Sequence, residues 1–390
     1  MNVDNLLFEL IRVAIGSQNS LSDVPAQEEW RHVYDAAYRQ SLLGVCFYAV
    51  SKLPESMKPE GGLYFEWLSN AAQIQAQNEH VDEQTAEMWR KLKDAGLEAV
   101  VLKGQGVATL YSHSDFTGCR DNLSLADSTE STERGEGLAS LRQPGDIDIW
   151  VKGGYQKVCD YVQSSHPTDD LAYHRFHYDA FEDTEVELHH RPTLMRNLLD
   201  DRKLAQWYNS FGADSFVYLE EKGFAVPPYQ FNVIFILTHI YRHFLFEGVG
   251  LRQVMDYYFV LKSDEGSKKE YVAKILRALR LEKFARAVMW VMKTQFELED
   301  DYLICESDEK EGKFLLNEIM MSGNFGQTDK RYQYKRFYNI RILSSRWSHL
   351  LLHYPSEVIW SPIWIVFHWF WKQSKKAEIH KMLTIKNSVS

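Results

Sequence analysis

Four cysteines in 390 residues, Cys46, Cys119, Cys159 and Cys305, stand far apart with no metal-ligand spacing. That excludes a zinc-ribbon framework and a disulfide scaffold, and makes reduced thiols in a cytoplasmic protein the expectation. Basic charge is in deficit as well: 44 Lys and Arg face 54 Asp and Glu, for a net charge of −10. A sequence-independent grip on nucleic acid depends on clustered cations, so general nucleic-acid binding is not expected. The N-terminal stretch from Met1 to Arg12 has no basic start and carries charge through its apolar positions, unlike a secretion signal. It reads as an amphipathic helix instead. No internal repeat is present. The strongest apolar run, Val358 to Trp371, is about two-thirds of a membrane span and is interrupted by Pro362 and His368. It reads as a buried helix or a partner surface, with an interfacial membrane helix flanked by Lys372, Lys375, Lys376 and Lys381 as the alternative.

What remains is a well-filled globular chain, 45% hydrophobic and 14% aromatic, long enough for two or three domains. Residues 1–95 show helical periodicity. Leu6, Leu7, Leu10 and Ile11 mark one apolar face, and Leu63 to Ala95 ends at Gly96, a residue suited to a helix C-cap. Residues 96–190 alternate strand and helix signals. From 191 to 390 the pattern is helical again, including Gln230 to Phe246 and Leu251 to Leu261. The fold class expected is α+β, a mixed sheet between helical N-terminal and C-terminal regions, with no βαβ alternation ahead of it. Within the middle part, residues 112–141 are rich in Ser, Asp, Glu and Gly and poor in apolar residues. They read as an inserted surface loop that proteases would cut first.

The chemistry concentrates in that middle part. After a Pro-Gly turn, Asp146-Ile-Asp148-Ile-Trp-Val151 is an alternating strand, so Asp146 and Asp148 share a face while Ile147 and Ile149 point inward. Two carboxylates so placed attract a divalent cation, since burying them unpaired is costly. Upstream, Lys103-Gly104-Gln105-Gly106 follows a short buried strand and opens a helix. Such a turn lets backbone N–H groups approach an anion. Downstream, Thr184 to Arg191 is a second alternating strand that places Glu185, Glu187 and His189 on one face. It is expected to form a hairpin with Leu171 to Phe181.

The order of these pieces, Leu102-Lys-Gly104, then Arg142 with Asp146-Ile-Asp148, then Val186-Glu-Leu-His189, resembles the DNA polymerase β-like nucleotidyltransferase superfamily. Within it, the sequence is most similar to a bacterial family of uncharacterised nucleotidyltransferases. The likeness covers about 97–191 well and extends more loosely to about 261. It implies a nucleotidyltransferase-like core and transfer of a nucleoside monophosphate from a nucleoside triphosphate, ATP by default, to a hydroxyl acceptor. Mg²⁺ or Mn²⁺ would be held by Asp146 and Asp148. The family's Glu-x-His pattern selects Glu187 as the third carboxylate, completing a metal site or deprotonating the acceptor. Lys103, Gly104, Gln105, Gly106, Arg142, His189, His239 and Arg252 are the expected nucleotide-binding set. Superfamily members usually carry Gly-Ser or Gly-Gly at the turn. Here the hydroxyl is absent and Lys103 offers a point charge instead.

Two pairs on the later helices admit plainer readings. His239 and His243 are spaced i, i+4 and share a face, which suits packing at a junction as well as nucleotide contact; two histidines are too few for a closed zinc site. Arg252 and Asp256, also i, i+4, read most simply as a helix-surface pair. Two other function classes fit the motifs. A metal-dependent glycosyltransferase also uses Asp-x-Asp, though a strand-helix nucleotide domain would then be expected ahead of it. A catalytically silent binding module would retain the fold without the Gly-Ser turn.

Overall fold

The structure is a computed structural model that describes residues 3–112, 137–264, 267–326 and 349–389. Four helices open the chain: α1 (Val3–Ile15), α2 (Gln27–Arg39), α3 (Leu43–Lys52) and α4 (Gly61–Asp94). The apolar face marked by Leu6, Leu7, Leu10 and Ile11 is fully buried. The long helix α4 stops at Ala95, and Gly96 follows at φ +74°, a left-handed conformation that costs glycine least.

The chain then enters a four-stranded mixed sheet of β1 (Ala99–Val101), β2 (Ile147–Val151), β3 (Arg175–Tyr178) and β4 (Val186–His189), ordered β1-β2-β4-β3. Strands β1 and β2 are antiparallel, β2 and β4 are parallel, and β3 closes the sheet antiparallel to β4. The parallel pair requires a crossover, and α6 (Gly154–Ser165) lies within it, followed by β3. A single-turn helix, α5 (Gln105–Ala108), follows β1. After the sheet come α7 (Leu198–Asn209), the small hairpin of β5 (Val217–Leu219) and β6 (Phe224–Val226), and then α8 (Tyr229–Phe246) and α9 (Leu251–Lys262). Helices α10 (Lys269–Ala278), α11 (Glu282–Gln295), α12 (Glu309–Ser322) and α13 (Pro355–Val389) complete the described chain.

Strand alternation divides the sheet's burial between two cores. Ile147, Ile149, Val151, Val186 and Leu188 join one cluster with Phe176, Tyr178 and Val158 of α6. Trp150, on the other face, joins a larger cluster that unites Leu6, Trp30 and Trp67 of the N-terminal helices with Phe231, Phe235 and Phe244 of α8. The N-terminal and later helices therefore share one core, and the face carrying Asp148, Glu187 and His189 is turned toward it.

Three features depart from the sequence reading. The segment 171–181 contributes a strand of only four residues, Arg175–Tyr178. Of the expected insertion, residues 113–136 lie outside the described residues, but its end is a structured turn: Leu138 is buried, and Asn78 Nδ2 donates to the carbonyls of Ala139, Ser140 and Arg142. The apolar run from Val358 to Trp371 is helical straight through Pro362, yet only one side is buried. Val358 and Trp364 face inward while Ile359, Ile363, Val366 and Phe370 are exposed. Among the described residues, no helix is long and apolar enough to cross a membrane, and Cys46, Cys159 and Cys305 are free thiols.

Candidate functional site

The site is assembled where β2 and β4 run side by side. Their parallel register sets Asp148 opposite Glu187, so the two carboxylates meet on the face that also carries His189. His189 Nε2 lies 2.9 Å from Asp148 Oδ1 and 3.3 Å from Glu187 Oε2. Asp148, Glu187 and His189 offer ligand atoms that all lie within 4.8 Å of one another, and all three residues are buried. This donor set, two carboxylates and one imidazole, fits a divalent cation. Glu185, two residues earlier, is exposed and pairs with His177.

Asp146 stands just before β2 and shares a counter-ion with Asp148. Lys103 Nζ is 3.0 Å from Asp148 Oδ2 and 3.3 Å from Asp146 Oδ2. Burial works to lower the ammonium's pKa, but the two aspartates prevail and hold it above its ordinary value. Burial likewise pushes the Asp148 carboxyl up, yet Lys103 and His189 together hold it well below the usual carboxylate range. For His189 burial prevails, so its pKa is lowered despite the bond to Asp148. Glu187 is also paired, with Arg175 of β3. Each carboxylate of the cluster thus faces a basic side chain.

This cluster opens on a cleft of about 450 Å³ whose walls include Lys103, Asp146, Glu187, Arg175, Arg242 and Arg252. Three guanidiniums and one ammonium share the hollow with the carboxylates of Asp146, Glu185, Glu187 and Glu247, a mixture suited to a polyanion that brings a divalent cation with it. Arg175 and Arg242 were not singled out from sequence. Arg175 sits two residues before His177 on a strand whose partner carries Glu187, so the β3–β4 register could have placed it. Arg242 has no such signal. It projects from α8 with its guanidinium 3.0 Å from His243 Nε2, and only the packing of α8 brings it here.

Other residues expected at the site have different surroundings. Gly104 does form the turn, at φ +59°, and a Cβ there would lie 3.5 Å from the carbonyl of Asp146. Gly106 packs against β1 and β6 instead: a Cβ would come within 3.0 Å of the Val101 carbonyl. The helix that follows is a single turn, and the Gly106 N–H already donates to the Lys103 carbonyl. Little helix dipole is therefore available to an anion. Gln105 is buried and donates to Asn78 and Asp82 of α4, away from the cleft.

Arg142 is committed to a buried pair with Asp256, its Nε and Nη2 each 2.7 Å from a carboxylate oxygen, with Tyr111 Oη donating to the same group at 2.8 Å. The expected surface pair of Arg252 and Asp256 therefore does not form. Both are buried, and Arg252 donates to the carbonyls of Gln143 and Pro144, bracing the turn ahead of the aspartates. His239 lines a small cavity behind that turn with Gly104, Arg142 and Arg252. Burial, with the neighbouring His243 and Lys103 adding to it, drives its pKa well below the ordinary histidine value. It packs against His243, at a ring separation of 4.3 Å, and lines no part of the larger cleft.

A family model described as an uncharacterised nucleotidyltransferase matches residues 26–122 and 136–297. The match begins well before the segment from which the likeness was read and runs beyond it. Its break, 123–135, falls inside the expected insertion. No curated protein and no solved structure matches the chain.

Proposed function

The chain belongs to the family of uncharacterised nucleotidyltransferases, and from that premise we propose that it moves a nucleoside monophosphate from a nucleoside triphosphate, ATP by default, to a hydroxyl acceptor. The observation that carries this reading is the cluster of Asp148, Glu187 and His189, with Asp146 outside that group but tied to Asp148 through Lys103, beside a cleft lined by Lys103, Arg175, Arg242 and Arg252. The acceptor oxygen bonds to the α-phosphorus, the α–β phosphoanhydride breaks, and pyrophosphate leaves with the bonding pair. Asp146, Asp148 and Glu187 would hold Mg²⁺ or Mn²⁺, which supplies charge neutralisation at the reacting phosphate and lowers the pKa of a bound hydroxyl.

The chain's own groups do the rest. Lys103 and Arg175, now paired with the carboxylates, are within reach of the triphosphate and would exchange one set of negative partners for another. Arg242 and Arg252 extend that positive wall along the cleft and orient the polyphosphate. Glu187 Oε accepts the proton of the acceptor hydroxyl. His189, neutral at pH 7 by its lowered pKa, fixes the orientation of Asp148 and Glu187 through its Nε2. Arg142, Asp256 and Arg252 hold the turn that aims Asp146.

The test is transfer of label. Incubated with Mg²⁺ and candidate acceptors, a triphosphate labelled at the α-phosphate should pass its label to the acceptor while γ-label appears in pyrophosphate. Transfer of γ-label to the acceptor would instead make the protein a phosphotransferase. One observation favours a second reading, a binding module without turnover: Lys103 already occupies the position between the two aspartates. Under that reading nucleotide binds and neither label moves.

A further inference from the structure

We propose that α13 docks the protein on an anionic membrane surface, lying flat in the headgroup region on its outward apolar face. The inner side of the helix is anchored to the fold. Glu357 accepts from the backbone N–H groups of Arg196 and Asn197, and the Arg196 guanidinium lies 5.2 Å from the centroid of the Trp364 ring. Tyr173 meets Trp364, Phe367 and Trp371 edge-on. The opposite side has no comparable cover. Ile359, Ile363, Val366 and Phe370 follow one another at helical spacing with relative exposures of 60%, 51%, 57% and 63%, and Trp369 adds 56%. Large apolar side chains ranked along one helix face are not ordinary surface scatter.

Three observations select a lipid surface as the occupant. The apolar half of the helix, Val358 to Trp371, is about 21 Å long at 1.5 Å per residue. It is shorter than the hydrocarbon core, and its inner side is already taken by protein, so it suits lying in an interface and not crossing it. Beyond Phe370 the same outward face turns polar, through Gln373, Ser374 and Lys381, with Lys372 beside it and Lys375 and Lys376 paired with Glu378 and Asp169, giving the helix an apolar and a hydrophilic stretch. Helix α13 itself holds five lysines against two glutamates, within a chain whose net charge is −10. Of the four tryptophans in α13, Trp369 lies on the exposed side, while Trp364 and Trp371 pack inward. Aromatic and basic residues together match the headgroup boundary of an anionic leaflet. A second copy paired about a two-fold axis would set the lysines of two α13 helices against each other, whereas anionic headgroups attract them. The docking face itself is drawn from α13 alone, outside the matched family segment and apart from the carboxylate cluster.

The test uses the full chain with vesicles of phosphatidylcholine alone or mixed with phosphatidylglycerol, read by co-sedimentation and by tryptophan emission. The protein should sediment with the mixed vesicles, weakly with the neutral ones, and less as salt rises. Emission should shift to shorter wavelength on binding. Ile363→Asp with Phe370→Asp, both outward, should leave the melting temperature unchanged and weaken sedimentation about tenfold or more. The milder pair Ile359→Ser with Phe370→Ser should act in the same direction. Failure to sediment with either vesicle, or equal binding by the variants, would overturn the proposal. So would a dimer in light scattering that the same substitutions disperse while vesicles do not bind, since a second copy would then be the occupant.

Discussion

Replacing Lys103 with Met removes one charge from the centre of the cluster while keeping the side chain's length, and the structure fixes what that should cost. The ammonium is 3.0 Å from Asp148 and 3.3 Å from Asp146, with side-chain exposures of 16%, 1% and 26% for Lys103, Asp148 and Asp146. At an effective dielectric near 20, each contact is worth about 5 kcal/mol of Coulomb attraction. The desolvation of Lys103 offsets part of this. Breaking a buried pair from one side typically costs about 3–5 kcal/mol, because the remaining charge is left without a partner. Lys103→Met should therefore melt markedly below the native protein at neutral pH without added metal.

The pH dependence of that loss has a definite sign. The folded pKa of Asp148 is depressed, so its stabilising contribution is present above the unfolded value near 3.9 and is lost as pH falls through the folded value. In Lys103→Met, burial is opposed by His189 and by the Arg175 guanidinium without the ammonium, and the carboxyl pKa rises. The stability gap between the two proteins should then be widest at neutral pH and narrow in acid, as Asp148 takes up a proton in the variant while it is still ionised in the native protein. Mg²⁺ should also raise the melting temperature of the variant more than that of the native protein. Thermal melts from pH 4 to pH 8 with and without Mg²⁺ measure all of this. A gap independent of pH, or no gap, would refute the claim that Lys103 is the cluster's counter-ion.

Arg142→Met should destabilise the fold by about 3–5 kcal/mol, measured by denaturant unfolding, because it strands Asp256 at 7% side-chain exposure. In what folds, nucleotide affinity should fall only a fewfold, since Arg142 reaches the site through the turn that aims Asp146. Arg242→Met should show the reverse in the same two assays, weakened nucleotide binding with a smaller stability loss. Gly106→Ala should cost about 1–3 kcal/mol by crowding the Val101 carbonyl at 3.0 Å. An unchanged unfolding midpoint would mean that the turn yields more readily than its packing suggests.

Much of the architecture was legible because it rests on local periodicity. The helices at Gln230 to Phe246 and Leu251 to Leu261, the cap at Gly96 and the inward direction of Ile147 and Ile149 follow from spacing alone. The proximity of Asp148 and Glu187 was readable from two alternating strands once they were assigned to one sheet. What could not be read was the identity of each charged group's partner. The i, i+4 reading joins Arg252 to Asp256, but Asp256 goes to Arg142, 114 positions away, and Arg252 goes to backbone carbonyls. Gln105 is adjacent to the turn in sequence, yet the one-turn helix points it back into α4. Arg242 enters the cleft only because α8 packs across the sheet. Such choices depend on the docking of distant elements, to which strand and helix periods are blind.

The most direct test of the proposed nucleotidyl transfer site is thermal stabilisation by ATP, GTP, CTP and UTP in turn, each with Mg²⁺ and each with chelator, on the native protein and on Asp146→Asn with Asp148→Asn. The account predicts that at least one triphosphate raises the melting temperature with Mg²⁺, that chelator abolishes the shift, and that the folded double variant shows none. Stabilisation that survives both chelator and the double substitution, or a native protein that responds to no triphosphate, would contradict it.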